Sequence, residues 1–263
     1  MNGTSDTVHL ELSVKDLEEE ILALPEIAGD LLDPASVVVL EEARATLRSA
    51  VQIPEHPFTW EVSRNRPILT GVSDGQYERK QGGKGRPIIG ALSFLWHLRT
   101  GPAPVKTVSL VGNITSQIQL RDVENDESEF LSMWRMEIGD HASPGTCFHA
   151  QVLGHSEEPP FPSYLPVPRL PIFPPTPMTC LEFLLGELFQ TSWPERVERG
   201  TGEARQWRSI QKRRFEAFLK WQQQAVKDTT GSALSALKRF PPSVALNAGQ
   251  ELLPALFSKS ACG

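Results

Sequence analysis

The sequence is short of the features that most often reveal a function. Cysteine occurs three times in 263 residues, at Cys147, Cys180 and Cys262. An odd, scattered set of thiols builds no disulfide framework and points to a reducing cytoplasm. No apolar run is long enough to span a bilayer, the longest being interrupted by charge or proline. The opening residues lack a basic start followed by an apolar core, so no secretory leader and no membrane partner are expected. Cys-x-x-Cys and His-Glu-x-x-His, the spacings that make a metal motif specific, are both missing. Net positive charge is absent as well: 32 Asp and Glu outnumber 26 Lys and Arg, and the formal net charge of -6 argues against a protein that coats nucleic acid with its whole surface, leaving room for a local basic patch.

A hydrophobic content of 40% is enough for a substantial core. The charge is unevenly placed. Residues 1–60 are acidic (Asp16, Glu18, Glu19 and Glu20 among them), whereas the segment from Arg196 to Arg239 is basic. Ser13-Val-Lys-Asp16 reads as a helix start, with Leu17, Ile21, Leu22 and Leu24 on one face and Pro25 stopping or bending the helix. Asp33-Pro34 caps a second helix carrying Val37, Val38, Leu40, Ala43, Leu47 and Val51, which ends before Pro54. The acidic residues of both helices are expected on a solvated outer face.

From Phe58 the pattern turns to strands: 58–62, 68–72, a strand or short helix at 87–98, and an alternating stretch from Val105 to Arg121. Gly112-Asn113 offers a turn that would split the last of these into a hairpin. The loop from Gly75 to Arg86 mixes Gly82, Gly83 and Gly85 with Lys80, Lys84 and Arg86. It lacks the strand-loop-helix frame of a P-loop and reads as a surface loop. After Gly154 a proline-dense connector leads to an apolar helix from Thr179 that ends near Trp193-Pro194. Basic helices follow.

Fold signal and chemistry coincide between Met133 and Leu153. A pairing centred near Ser143 sets Ile138 against Phe148, Met136 against Ala150 and Trp134 against Val152, all apolar. The other face then carries Arg135, Glu137, Cys147, His149 and Gln151, and the loop holds Asp140 and His141 nearby. A divalent metal on Asp140, His141, Cys147 and His149 would polarise water, with Glu137 and His149 as the catalytic pair. Cys147 could instead act as a nucleophile beside a histidine. A third reading has Arg135 and Glu137 simply pairing across to Gln151 and His149. In the basic helix, Arg205, Arg208, Lys212, Arg213 and Lys220 interleave with aromatics, a pattern that can grip nucleic acid or can belong to an amphipathic helix docked by its aromatic stripe.

The hairpin Trp134-Arg-Met-Glu-Ile-Gly139, with Ser143-Pro-Gly and Phe148-His-Ala-Gln, precedes Val167-Pro-Arg-Leu-Pro and Thr176-Pro-Met-Thr-Cys-Leu-Glu-Phe-Leu-Leu. Over residues 130–193 this resembles a loosely defined group of uncharacterised bacterial proteins. The resemblance implies a bacterial cytoplasmic setting and a defence or mobile-element neighbourhood, with no activity to carry over.

The expectation is an α+β fold with a mainly antiparallel sheet. It comprises a helical segment at 1–55, a sheet core with crossover and core helix at 56–193, and basic helices at 194–263, the last two forming one domain or two. The expected function is capture of a partner, a protein or a nucleic acid at 205–220. The alternative is a metal-dependent hydrolase, acting on nucleic acid among other substrates, built on the 137–149 hairpin.

Overall fold

The computed structural model describes residues 11–73, 87–102, 104, 106–123, 130–138, 146–152, 169–173 and 175–238. The fold is α+β. Eight strands form one antiparallel sheet: β1 (Glu11–Ser13), β2 (Pro57–Val62), β3 (Ile68–Leu69), β4 (Ile88–Thr100), β5 (Thr107–Asp122), β6 (Phe130–Ile138), β7 (Phe148–Val152) and β8 (Leu170–Pro171). Their order is β2-β4-β5-β6-β7-β8, with β1 also paired to β5 and β3 to β4. The helices are α1 (Val14–Ala28), α2 (Pro34–Ala50), α3 (Pro177–Leu188), α4 (Ser192–Val197), α5 (Gly202–Asp228) and α6 (Ala233–Lys238).

Local chemistry places the helix starts. The Ser13 hydroxyl accepts from the Asp16 amide, Asp33 Oδ1 from the Ala35 amide at 2.8 Å, and Thr176 and Thr179 form a reciprocal capping box. Pro25 does not stop α1, which runs a further turn to Ala28. There Gly29, at a φ of 53° in the left-handed region that glycine tolerates best, returns its amide to the Pro25 carbonyl. Pro194 likewise lies inside a short helix, α4. Gly112-Asn113 makes no turn: β5 continues through it. Against β4 the register slips there, from Trp96 opposite Ile114 to Leu98 opposite Leu110, so the extra backbone is absorbed as an irregularity within the ladder.

Trp60 of β2, Leu92, Phe94, Trp96 and Leu98 of β4, Ile114 and Ile118 of β5, Trp134, Met136 and Ile138 of β6 and Phe148 of β7 face the helical layer, and the odd-numbered residues between them face away. Trp60, Trp96, Leu98, Ile114, Ile118 and Phe148 belong to one apolar cluster that also takes in Leu17, Leu24, Leu40, Leu47, Leu181, Leu184 and Trp207 from the helices. The Trp60 indole donates to the Ala43 carbonyl at 2.9 Å, pinning α2 to the sheet. Helix α3 approaches β4 at Gly90, where a Cβ would lie 2.6 Å from Leu184 Cδ1. The apolar face read for α2 is rotated slightly in the fold. Val37 and Val38 are exposed, while Ser36 and Val39 are buried, because the Ser36 hydroxyl bridges the Leu69 amide and carbonyl.

The acidic face of α1 is the larger correction. Glu20 has an exposure of 0% and Asp16 is buried. Arg214 of α5 ion-pairs with Glu20 Oε1, which also accepts from Gln211 Nε2 at 2.6 Å, while the Thr176 hydroxyl donates to Oε2 at 3.4 Å. Arg213 stands 3.9 Å from Asp16. An acidic first helix and a basic late helix therefore lock together around buried charge. No helix among the described residues is long and apolar enough to cross a membrane.

Candidate functional site

The odd-numbered face of the sheet carries two cross-strand rows of mostly polar side chains. Strand pairing sets Glu61 opposite Leu95, Leu95 opposite Thr115, Thr115 opposite Glu137 and Glu137 opposite His149. The adjacent row runs Ser93, Gln117, Arg135, Gln151 by the same pairings. The hairpin register matches the alternation of the sequence: Ile138 faces Phe148, Met136 faces Ala150 and Trp134 faces Val152.

Within the rows the hairpin groups hold one another. Arg135 Nη2 donates to Gln151 Oε1 at 3.1 Å, and Glu137 accepts from the Thr115 hydroxyl at 3.4 Å. His149 is only 2% exposed. Its Nδ1 lies 3.0 Å from the Thr146 carbonyl oxygen, which can only accept, so Nδ1 donates to it. Nε2 then faces Glu137 Oε2 at 3.5 Å. A hydrogen bond from His149 holds the Glu137 carboxyl below the usual carboxylate range, against burial, with the Arg135 charge adding to the pull.

Cys147 does not join them. It lies at a bend before β7, is counted with the apolar core, and passes its amide to the Leu237 carbonyl at 2.9 Å. Burial pushes its thiol up to about 12, so little reactive thiolate exists at neutral pH. Asp140 and His141 lie outside the described residues. Among the described residues no three His, Cys, Asp or Glu groups come together to hold a metal ion. Cys180 is a fully buried thiol against the Met136 sulfur, and His97 sits at the sheet surface by the Thr59 hydroxyl at 3.3 Å.

A pocket of about 460 Å³ opens on this polar face, with Glu61, Arg64, Asn65, Gln117 and Arg135 in its wall. Sequence reading missed Arg64 and Asn65, which look like ordinary turn residues until β2 and β4 bring them beside the rows.

The cations of α5 are distributed by helix geometry. Arg205, Lys212 and Lys220 are exposed on the side away from the buried Trp207, Ile210 and Arg214. Arg205 donates to the Gly200 carbonyl, Arg208 to the Val197 and Arg199 carbonyls, and Lys212 lies 3.9 Å from Glu216. Arg213 turns toward Asp16. The aromatic stripe docks in part: Phe218 and Trp221 meet Phe148 edge-on, both at 6.1 Å between ring centres, while Phe215 and Leu219 remain exposed.

Comparison with protein-family models, with curated proteins and with solved structures finds no match to this chain.

Proposed function

We propose that the protein is a binding protein that captures a partner on the polar face of its sheet, with Arg135 as the central contact. The observation that carries this is the place of the Arg135 guanidinium. It lies in the wall of the 460 Å³ pocket; its one hydrogen bond among the described residues goes to Gln151, and its Nε stands 3.7 Å from Glu137 Oε1, which leaves the outer donors of the fork for a partner. A guanidinium has five N–H donors in a fixed fork, suited to a carboxylate or to paired carbonyls. Arg64 adds a second cation to the same wall. A partner presenting acidic or carbonyl groups, a protein segment first of all, fits that chemistry. The bacterial cytoplasmic and defence-related setting implied by the hairpin resemblance belongs to the same proposal.

A metal-dependent hydrolase is the second reading, and one contact favours it. A backbone carbonyl fixing Nδ1–H and leaving Nε2 directed at a carboxylate is how proteins orient a histidine ligand. His149 would then be a metal ligand and Glu137 the base, with Asp140 or His141 completing the ligand set.

Affinity capture from extracts of the source cells, read by mass spectrometry, separates the two. The binding reading expects a partner retained by wild type, lost from Arg135→Glu and kept by Lys220→Glu. Stoichiometric zinc or manganese in the purified wild type, lost from His149→Ala together with a hydrolytic activity, would overturn it in favour of the enzyme.

A further inference from the structure

The opposite, apolar face of the same hairpin forms a second cavity, unrelated to the Arg135 pocket. It measures about 560 Å³, and Trp134, Met136, Ile172, Phe173 and Phe183 are in its walls. That size lies within the range of small-molecule sites. Its walls are unfinished as a core: Phe173 and Phe183 are exposed by 42% and 41%. Among the side chains lining it, Glu182 is the one that ionises. Glu182 Oε1 accepts from the Trp207 indole at 2.9 Å and its carboxyl also has the Trp193 indole as a hydrogen-bond partner, both neutral donors. Burial pushes its carboxyl above the usual carboxylate range, and neighbouring Glu20 adds to the shift.

Behind the cavity the charges do not balance. Glu20 is matched by Arg214 and Asp16 faces Arg213, whereas no cation among the described residues pairs with Glu182. A desolvated carboxylate without a cation is costly, and an ammonium brought to it gains a charge-assisted hydrogen bond in an apolar setting. A ligand acid would meet like charge instead, and a plain hydrocarbon would leave the carboxylate unmatched.

We propose that this cavity is a binding site for a small amphiphilic amine, with the apolar body against Trp134, Phe173 and Phe183 and the ammonium on Glu182.

The test is calorimetric titration of the full chain at neutral pH with n-octylamine, 1-octanol and octanoate, three probes that share one tail. Octylamine is expected to bind at least ~tenfold tighter than octanol, the scale of one charge-assisted contact, with octanoate weakest. Glu182→Gln, which keeps an acceptor for the Trp207 indole, should lower octylamine to the octanol level and leave octanol unchanged. Phe183→Ala, at a partly exposed position, should weaken all three probes. Octanoate binding as tightly as octylamine, an octylamine affinity indifferent to Glu182→Gln, or no binding of any probe to wild type would each overturn the proposal.

Discussion

Three carboxylates on neighbouring elements meet three different fates, set by what lies beside each. Glu137 is held below its ordinary value of 4.5 by the His149 imidazole, whereas Glu182 is pushed above that value by burial. The signs of their pH effects are therefore opposite. Glu137 contributes stability that is present above 4.5 and lost as pH falls through its depressed value, so Glu137→Gln should cost most near neutrality and least in acid. Glu182 binds its proton more tightly in the folded chain, so its ionised form destabilises as pH rises from 4.5 through the raised value. Glu182→Gln should gain on wild type over that window. Urea unfolding between about pH 3 and pH 8 tests both slopes. Glu20 is the third case, fully buried against Arg214. Arg214→Met leaves that charge alone and should cost about 3–5 kcal/mol, while Glu20→Gln with Arg214→Met should recover most of the loss. A double mutant no better than Arg214→Met would show that packing, not charge, sets the cost.

Among the elements, the β6–β7 hairpin was the most legible in the sequence. Apolar residues at every second position on both strands exclude a slip by one residue, which would turn Trp134, Met136 and Ile138 to the polar face, and the turn centred near Ser143 then selects among the registers left. The starts of α1 and α2 were legible for a similar reason: Ser13 and Asp33 announce their caps locally. Buried Glu20 was not legible, because an acidic side chain at helical spacing reads as solvated unless its counter-charge is known, and Arg214 lies 194 residues away. The polar pocket failed for the same cause, its wall being assembled from four strands and a turn. Helix α3 gives the prediction that belongs to this scale. Its closeness to β4 depends on Gly90, so Gly90→Ala should destabilise by about 1–3 kcal/mol through forced displacement of Leu184. Thermal unfolding measures it, and Gly90→Ala with Leu184→Ala should restore space without restoring the lost packing.

For the whole molecule, the linkage of α1 to α5 has a consequence in time. The chain is made from its N-terminus, so α1 leaves the ribosome with its caps and apolar face complete but with Glu20 unmatched. Its partners Thr176, Gln211 and Arg214 come only after most of the sheet has been synthesised. Until then burying α1 carries the cost of desolvating an unmatched charge, which favours pairing of the strands before α1 docks. A nascent chain stalled before residue 214 is therefore expected to leave α1 open to protease, and extension past Arg214 to protect it, which limited proteolysis of stalled chains of both lengths would read.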